Sequence, residues 1–379
     1  MNKKPIVIDL FCGAGGFSEG FRQAGYKIAC GIDIKKDCCE TYKHNFTEAN
    51  FINKDIREIS SEEILSTCSL NVGEIDVIIG GPPCQGFSHA GKRMVEDPRN
   101  VLFKEFVRIV NEIKPKYFVM ENVVGLVTMA KGKFKEEIIE TFKEIGYLVD
   151  VRILNSADYG TPQARLRTIF IGNNTGEEIT FPEVTHSKDG IGDLKKWTSV
   201  EEALEDLPPL GVGVGKDIAS YNNLTTSSYQ LYMRGYISYE EWINGSFNLE
   251  IKNTEKELFN HWTTKTKDKT RERFIHIAPG ENWQSLPEHL KTKGKFSNLY
   301  RRLDPCMPSV TLTNIRKTML IHPWEDRLLS VREGARLQSM PDYMRFMGNL
   351  NSQQQQVSDC VPSILSYVIA KHIKSNIKK

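Results

Sequence analysis

The sequence has no apolar run of roughly 18 residues, the length that spans a bilayer. Met1-Asn2-Lys3-Lys4-Pro5 leads into a β-rich run without a signal-type apolar core. These absences speak against a membrane protein and a secreted precursor, so the expectation is a cytoplasmic chain. Paired cysteines are lacking too: the eight, at 12, 30, 38, 39, 68, 84, 306 and 360, show no CxxC spacing and no partnering histidine clusters. A zinc site and a disulfide framework are therefore excluded, and no metal is expected. Charge of either sign is not in excess, with 50 Lys and Arg against 48 Asp and Glu, net +2. Nucleic-acid binding must therefore be read from local patches rather than from the overall balance. What is present is an ordinary globular composition, 40% hydrophobic and 26% charged over 379 residues, long enough for a large domain and a smaller one.

Up to residue 172 the chain alternates short β-rich runs with amphipathic stretches. The expected strands are Ile6 to Leu10, Ile28 to Asp33, Ile75 to Gly80, Tyr117 to Met120, Leu148 to Leu154 and Thr168 to Ile171. Between them Val101, Leu102, Phe106, Val107, Ile109, Val110 and Ile113 form one helical face that ends before Pro115. The alternation predicts an α/β fold, a parallel sheet covered by helices on both faces. After Phe181-Pro182 the periodicity fades, and Pro208-Pro209, Gly211, Gly213 and Gly215 mark a loop-rich region without repeats. Regular structure returns at Ser330 to Gln338, with Pro341 as a stop, and from Val361 on, where Ile364, Leu365, Val368 and Ile369 recur at helical spacing.

Four segments carry chemistry. Gly80-Gly81-Pro82-Pro83-Cys84-Gln85-Gly86-Phe87-Ser88 seats a cysteine on a stiff turn at a strand end, with prolines fixing φ before it and Gly86 permitting close approach after it. Asp9-Leu10-Phe11-Cys12-Gly13-Ala14-Gly15-Gly16-Phe17 is a glycine-rich turn opening a helix near Ser18. Such turns serve nucleotides, flavins and S-adenosylmethionine alike. Asp33, closing the second strand, is placed to accept from ribose hydroxyls, and Asp55 with Ile56 to read an adenine edge. Glu121-Asn122-Val123 and Gln163-Ala164-Arg165-Leu166-Arg167 complete the set. Each carboxylate or guanidinium taken alone is equally readable as a cap or an ion pair.

In this order and spacing the four segments resemble the motifs of the cytosine-C5 DNA methyltransferases of the bacterial and archaeal restriction-modification type, from Ile6 to about Lys371. The resemblance implies a Rossmann-like S-adenosylmethionine-dependent methyltransferase sheet with helices on both faces, and a smaller, irregular target-recognition domain across a cleft. Residues 1–184 would be the catalytic and cofactor-binding domain, and 185–330 the target-recognition domain with its variable core at about 185–296. Residues 331–379 would end in a helix, about 358–375, that returns to the catalytic domain.

Cytosine C5 is a poor nucleophile until a thiolate adds to C6, a role that falls to Cys84. Glu121 would hold or protonate N3, and Arg165 would meet O2, with Gln163 and Arg167 in the same catalytic set. S-Adenosylmethionine would lie along Asp9, Phe11, Gly13 and Gly15, with Asp33 and Ile34 at ribose and adenine, Asp55 and Ile56 at the adenine edge, and Pro82, Leu102 and Asp359 completing the pocket. Ile34 and Leu102 read equally well as core.

The implied partner is double-stranded DNA, with the target base flipped out of the stack. No stable protein partner is required, and a cognate restriction endonuclease would act on the same sequence. Between His261 and Arg302 the basic residues Lys265, Lys267, Lys269, Arg271, Arg273, Lys291, Lys293, Lys295, Arg301 and Arg302 alternate with Trp262, Phe274, Trp283, Phe296 and Tyr300. That pattern suits phosphate contact and stacking, or else a solvated basic face. One departure from the family pattern is Ser358-Asp359 before Cys360-Val361-Pro362, where Gly-Asn is usual. A tRNA cytosine methyltransferase, a catalytically retired DNA-binding protein and, more distantly, a nicotinamide-dependent dehydrogenase are the competing readings.

Overall fold

The computed structural model describes residues 3–83, 101–128, 132–211, 213–221, 224–247, 257–291 and 299–377. Cys84, Lys293, Lys295 and Phe296 lie outside the described residues. The chain divides into two compact units. The first comprises Met1–Asn155, Leu166–Glu183 and Leu365–Lys379, and the second Ser156–Arg165 and Val184–Ile364. Among the described residues no helix is long and apolar enough to cross a membrane.

The first unit is built on strands β1 (Ile6–Leu10), β2 (Lys27–Ile32), β3 (Asn50–Ile52), β4 (Val77–Gly80), β5 (Tyr117–Val123), β6 (Leu148–Asn155) and, after the two-residue β7 (Gln163–Ala164) of the second unit, β8 (Leu166–Asn173). They form one seven-stranded sheet in the order β3-β2-β1-β4-β5-β8-β6. The first five run parallel, but β8 pairs antiparallel with both β5 and β6, so the sheet is mixed rather than parallel throughout. The connection Ser156–Arg165 between β6 and β8 is too short for the helical crossover that a parallel neighbour needs, and the chain turns back instead.

Helices α1 (Gly16–Gln23), α2 (Lys36–Asn45), α3 (Ser61–Cys68), α4 (Val101–Ile113), α5 (Gly125–Thr128) and α6 (Lys133–Glu144) fill the connections. On one face Phe103, Phe106, Ile109, Val110 and Ile113 of α4, Ile64 of α3 and Phe134, Ile138 and Phe142 of α6 share a core with Ile6, Ile8, Leu10, Ile78 and Phe118. The intervening strand residues Val7, Val77 and Val119 are buried on the opposite face, as strand periodicity requires of a sheet covered on both sides. Helix α4 stops where Lys114 turns to φ 56° ahead of Pro115. In the terminal helix Ser363–Ile377, the residues from Leu365 on pack against α1. Ser366 Oγ donates to Phe17 O at 2.5 Å, and a Cβ on Gly20 would lie 2.4 Å from Tyr367 N, so only glycine permits this crossing.

The second unit is a collection of short helices and two-stranded ribbons. Its helix Val331–Leu337 is capped by Ser330 and Glu333 in a reciprocal capping box. Buried arginines hold its loops: Arg336 pairs with Asp206 and Asp342, and Arg327 with Glu333.

Candidate active site

The turn after β1 combines three positive backbone angles, Phe11 at φ 63°, Gly13 at 53° and Gly15 at 90°. A side chain at Gly15 would also strike the Phe46 ring at 2.3 Å, whereas a Cβ at Gly13 would meet nothing within 4 Å. Gly13 is therefore dictated by conformation, and the space above it stays open. Asp33, just past β2, accepts from Gly13 N (2.9 Å) through one carboxylate oxygen and from Lys35 N (2.8 Å) through the other. A carboxylate offers about four acceptor positions, so capacity remains for the hydroxyls of a ribose. Next to it Ile34 is 62% exposed. It is not core, and an apolar side chain standing free beside a carboxylate with spare acceptor capacity could meet the face of a flat ring.

Other expected contacts are displaced. Asp9 is buried and takes a 2.6 Å hydrogen bond from Ser18 Oγ, so its carboxyl anchors the start of α1. The Ile56 side chain is packed in the sheet core, which leaves only its backbone for an adenine. Leu102 is partly buried against the same core. Asp55 caps the turn Ile56–Glu58 by accepting from Arg57 N (3.0 Å), and its carboxylate is gripped by the Arg57 guanidinium at 2.5 Å.

Burial raises the Asp9 carboxyl from 3.8 to about 8, against the lowering effect of the Ser18 hydrogen bond. An acid whose folded value is raised contributes stability that is complete below its unfolded value and is lost as pH climbs toward the folded one. Asp9→Asn, which stays neutral, is therefore expected to gain on the wild type steadily between about pH 4 and 8. Melting curves across that range check it, and parallel profiles for the two proteins would contradict it.

The second cluster stands at the carboxyl ends of β4 and β5. Glu121 and Asn122, expected on the loop after β5, lie within the strand. Glu121 pairs with Arg167 of β8, Nε to Oε1 at 2.6 Å, with both side chains mostly buried at 13% and 12% exposure. The other carboxylate oxygen lies against Gly81, where an added Cβ would come within 3.1 Å of it. Asn122 Nδ2 donates to Pro82 O at 3.0 Å. An amide from this strand end thus holds the backbone that precedes Cys84 in the chain, and the carboxylate beside it leaves little room for a side chain at Gly81. Asn122 was not among the expected functional residues, although its motif was visible.

Gln163, Arg165 and Asp359 belong to the second unit. Arg165 is 3% exposed and donates to Leu312 O (3.0 Å) and Ser358 O (3.3 Å). Gln163 donates to Leu337 O and accepts from Leu312 N, both at 3.1 Å. Both side chains are thus bound to main chain, and of the two arginines it is Arg167 that meets Glu121. Asp359 is exposed at the end of the helix Leu350–Asp359 and accepts from Gln355 at 2.6 Å.

The basic patch also narrows. Arg273, Arg301 and Arg302 donate to the carbonyls of Leu290, Gly280 and Ile277 respectively. Phe274 and Tyr300 sit in a small core with Trp283 packed on it, so they are not stacking surfaces. Lys265, Lys267 and Lys269 remain exposed.

The fold is shared with solved methyltransferases. An E. coli prophage protein assigned as a DNA modification methyltransferase matches with a TM-score of 0.76 at 25% identity, over 99% of this chain and 100% of that one. The S. pombe Dnmt2 methyltransferase shares the fold at 16% identity, with a TM-score of 0.56 over 98% and 99% of the two chains. Residues 6–375 match the family model of the C-5 cytosine-specific DNA methylases, and the chain belongs to that family. It is 37% identical to the type II methyltransferase M1.HphI of Haemophilus parahaemolyticus, over 97% of this chain and 86% of the relative. It is 35% identical to the type II methyltransferase M.DdeI of Desulfomicrobium norvegicum, over 97% and 88%. The chain is a DNA cytosine-C5 methyltransferase; DNA is its substrate, and family membership implies S-adenosylmethionine. The tRNA, dehydrogenase and non-catalytic readings are set aside.

Proposed function

We propose that this chain is the modification enzyme of a type II restriction-modification system. It acts in the cytoplasm on one specific duplex sequence, which a cognate endonuclease would otherwise cut. The observation that carries the site assignment is the placement of Glu121 and Asn122 against Gly81 and Pro82, immediately before Cys84.

In this reading the Cys84 thiolate adds to C6 of a flipped cytosine and pushes electron density toward C5, while charge grows on N3 and O2. Glu121 holds or protonates N3. Arg167, already on Glu121, meets O2, and it takes over the role first given to Arg165. Arg165 and Gln163 act on the site from a distance, by fixing the strand that precedes Arg167. Phe11, Gly13, Gly15, Asp33, Ile34 and Asp55, with Pro82, Leu102 and the Ile56 backbone, would hold S-adenosylmethionine, which when bound supplies an electrophilic methyl group. Base readout falls to about 185–296, and Lys265, Lys267 and Lys269 make phosphate contacts.

Incubation with labelled S-adenosylmethionine and DNA of mixed sequence, followed by mapping of the methylated cytosines, should give one recognition sequence. Exchange of residues 185–296 for the equivalent segment of a relative with a known target should move methylation to the donor's sequence. A chimera that methylates DNA yet keeps the original sequence would place specificity elsewhere.

A further inference from the structure

We propose that Asn53 is a positioning residue for the methyl-donor pocket, a latch that fixes the backbone of Asp33 and Ile34; this rests on the cofactor reading above. Strand β3 is only three residues long and forms the edge of the sheet. Its ladder with β2 ends at the pair Ile32 and Ile52, followed by one bond from Asp33 N to Ile52 O at 3.3 Å. Beyond that point strand pairing offers no donor to the next two carbonyls of the β2 segment. Asn53 Nδ2 supplies both bonds, to Asp33 O at 2.9 Å and to Ile34 O at 3.0 Å.

The side chain of Asn53 is exposed, so it adds little to the core and its contribution is these two bonds. Their target is the short segment that carries the free-standing Ile34 and the carboxylate joined to Gly13. One amide therefore ties the end of β3 to the segment after β2, which Asp33 in turn ties to the glycine turn after β1. With the latch gone, the Asp33–Ile34 segment can move at an open edge, and its ligand-facing groups lose their common register. The reacting groups stand on other strands, so binding of the methyl donor should suffer rather than chemistry.

Loss of two exposed hydrogen bonds that fix ligand-facing backbone corresponds to about a tenfold change in donor affinity. Asn53→Ala is expected to raise Kd and KM for S-adenosylmethionine about tenfold, with kcat, DNA affinity and Tm close to those of the wild type. Asn53→Asp, which sets an acceptor against two carbonyl oxygens, should match or exceed that loss. Asn53→Gln, which keeps the amide donors, should recover part of it.

Titration of each variant with S-adenosylmethionine and S-adenosylhomocysteine, alongside Asp33→Ala, separates the outcomes. Wild-type affinity in both Asn53→Ala and Asn53→Asp, with affinity lost in Asp33→Ala, overturns the latch and spares the pocket. Unchanged affinity in all three overturns the pocket and the latch with it. A parallel fall in donor affinity, DNA affinity and Tm would show general loosening and also overturn the proposal.

Discussion

Replacing Cys84 by serine is expected to lower methyl transfer by roughly four orders of magnitude or more, while S-adenosylmethionine affinity stays within about twofold. In the proposed mechanism the thiolate acts on the cytosine and not on the methyl donor, so binding and chemistry should separate cleanly. A serine hydroxyl is far less ionised than a thiol at neutral pH, and the carboxylate of Glu121 is already engaged by Arg167. DNA carrying 5-fluorocytosine should trap the wild type in an adduct that survives denaturing electrophoresis, because the fluorine cannot leave as the C5 proton does. The serine variant should form none. Turnover by Cys84→Ser within tenfold of the wild type would remove the covalent step from this enzyme.

The two arginines of Gln163-Ala164-Arg165-Leu166-Arg167 are expected to fail in different ways. Arg167→Ala removes the cation from Glu121 and, in the proposed mechanism, from the growing charge on O2, so kcat should fall about a hundredfold or more, the range seen for loss of one preorganised donor. Its Tm should fall less than that of Arg165→Ala, since Glu121 loses its cation but keeps some access to water. Arg165→Ala leaves the carbonyls of Leu312 and Ser358 without this donor in a buried setting, which costs about 1–3 kcal/mol for each unsatisfied group. Thermal denaturation should therefore single out Arg165→Ala, and single-turnover kinetics Arg167→Ala. If Arg165→Ala kept its Tm and lost kcat while Arg167→Ala did neither, the assignment of O2 would return to Arg165.

Much of the sheet could be read from the chain. Strand β1 occupies Ile6–Leu10 as expected, and β2, β4 and β6 differ from expectation by one or two residues at their ends. Strand β3 escaped notice because Asn50–Ile52 is too short to show a period. Strands β5 and β8 run longer than their apolar runs because they pair with each other, from Tyr117 with Asn173 to Val123 with Arg167. That pairing draws the polar residues Glu121, Asn122 and Arg167 into regular structure. Hydrophobic patterning cannot register it, since the bonds are between main-chain groups.

The family and the reaction were legible in the sequence alone, because a Pro-Pro-Cys segment, a Glu-Asn-Val segment and a Gln-x-Arg-x-Arg segment, each beside an apolar run, form a conjunction that none of them makes singly. Packing in three dimensions settled which arginine meets Glu121, that Asp9 and Ile56 are buried while Ile34 stands free, and that Asn122 and Asn53 bond to the backbone of Pro82 and of Asp33 and Ile34. Side chains one residue apart on a strand point to opposite faces, so Arg165 and Arg167 share a face in the local pattern, and only packing assigns one to main-chain carbonyls and the other to a carboxylate. Asn53 finds its partners about twenty residues back along the chain. Its bonds go to backbone carbonyls, which every residue possesses, so no pattern of side chains could have announced them.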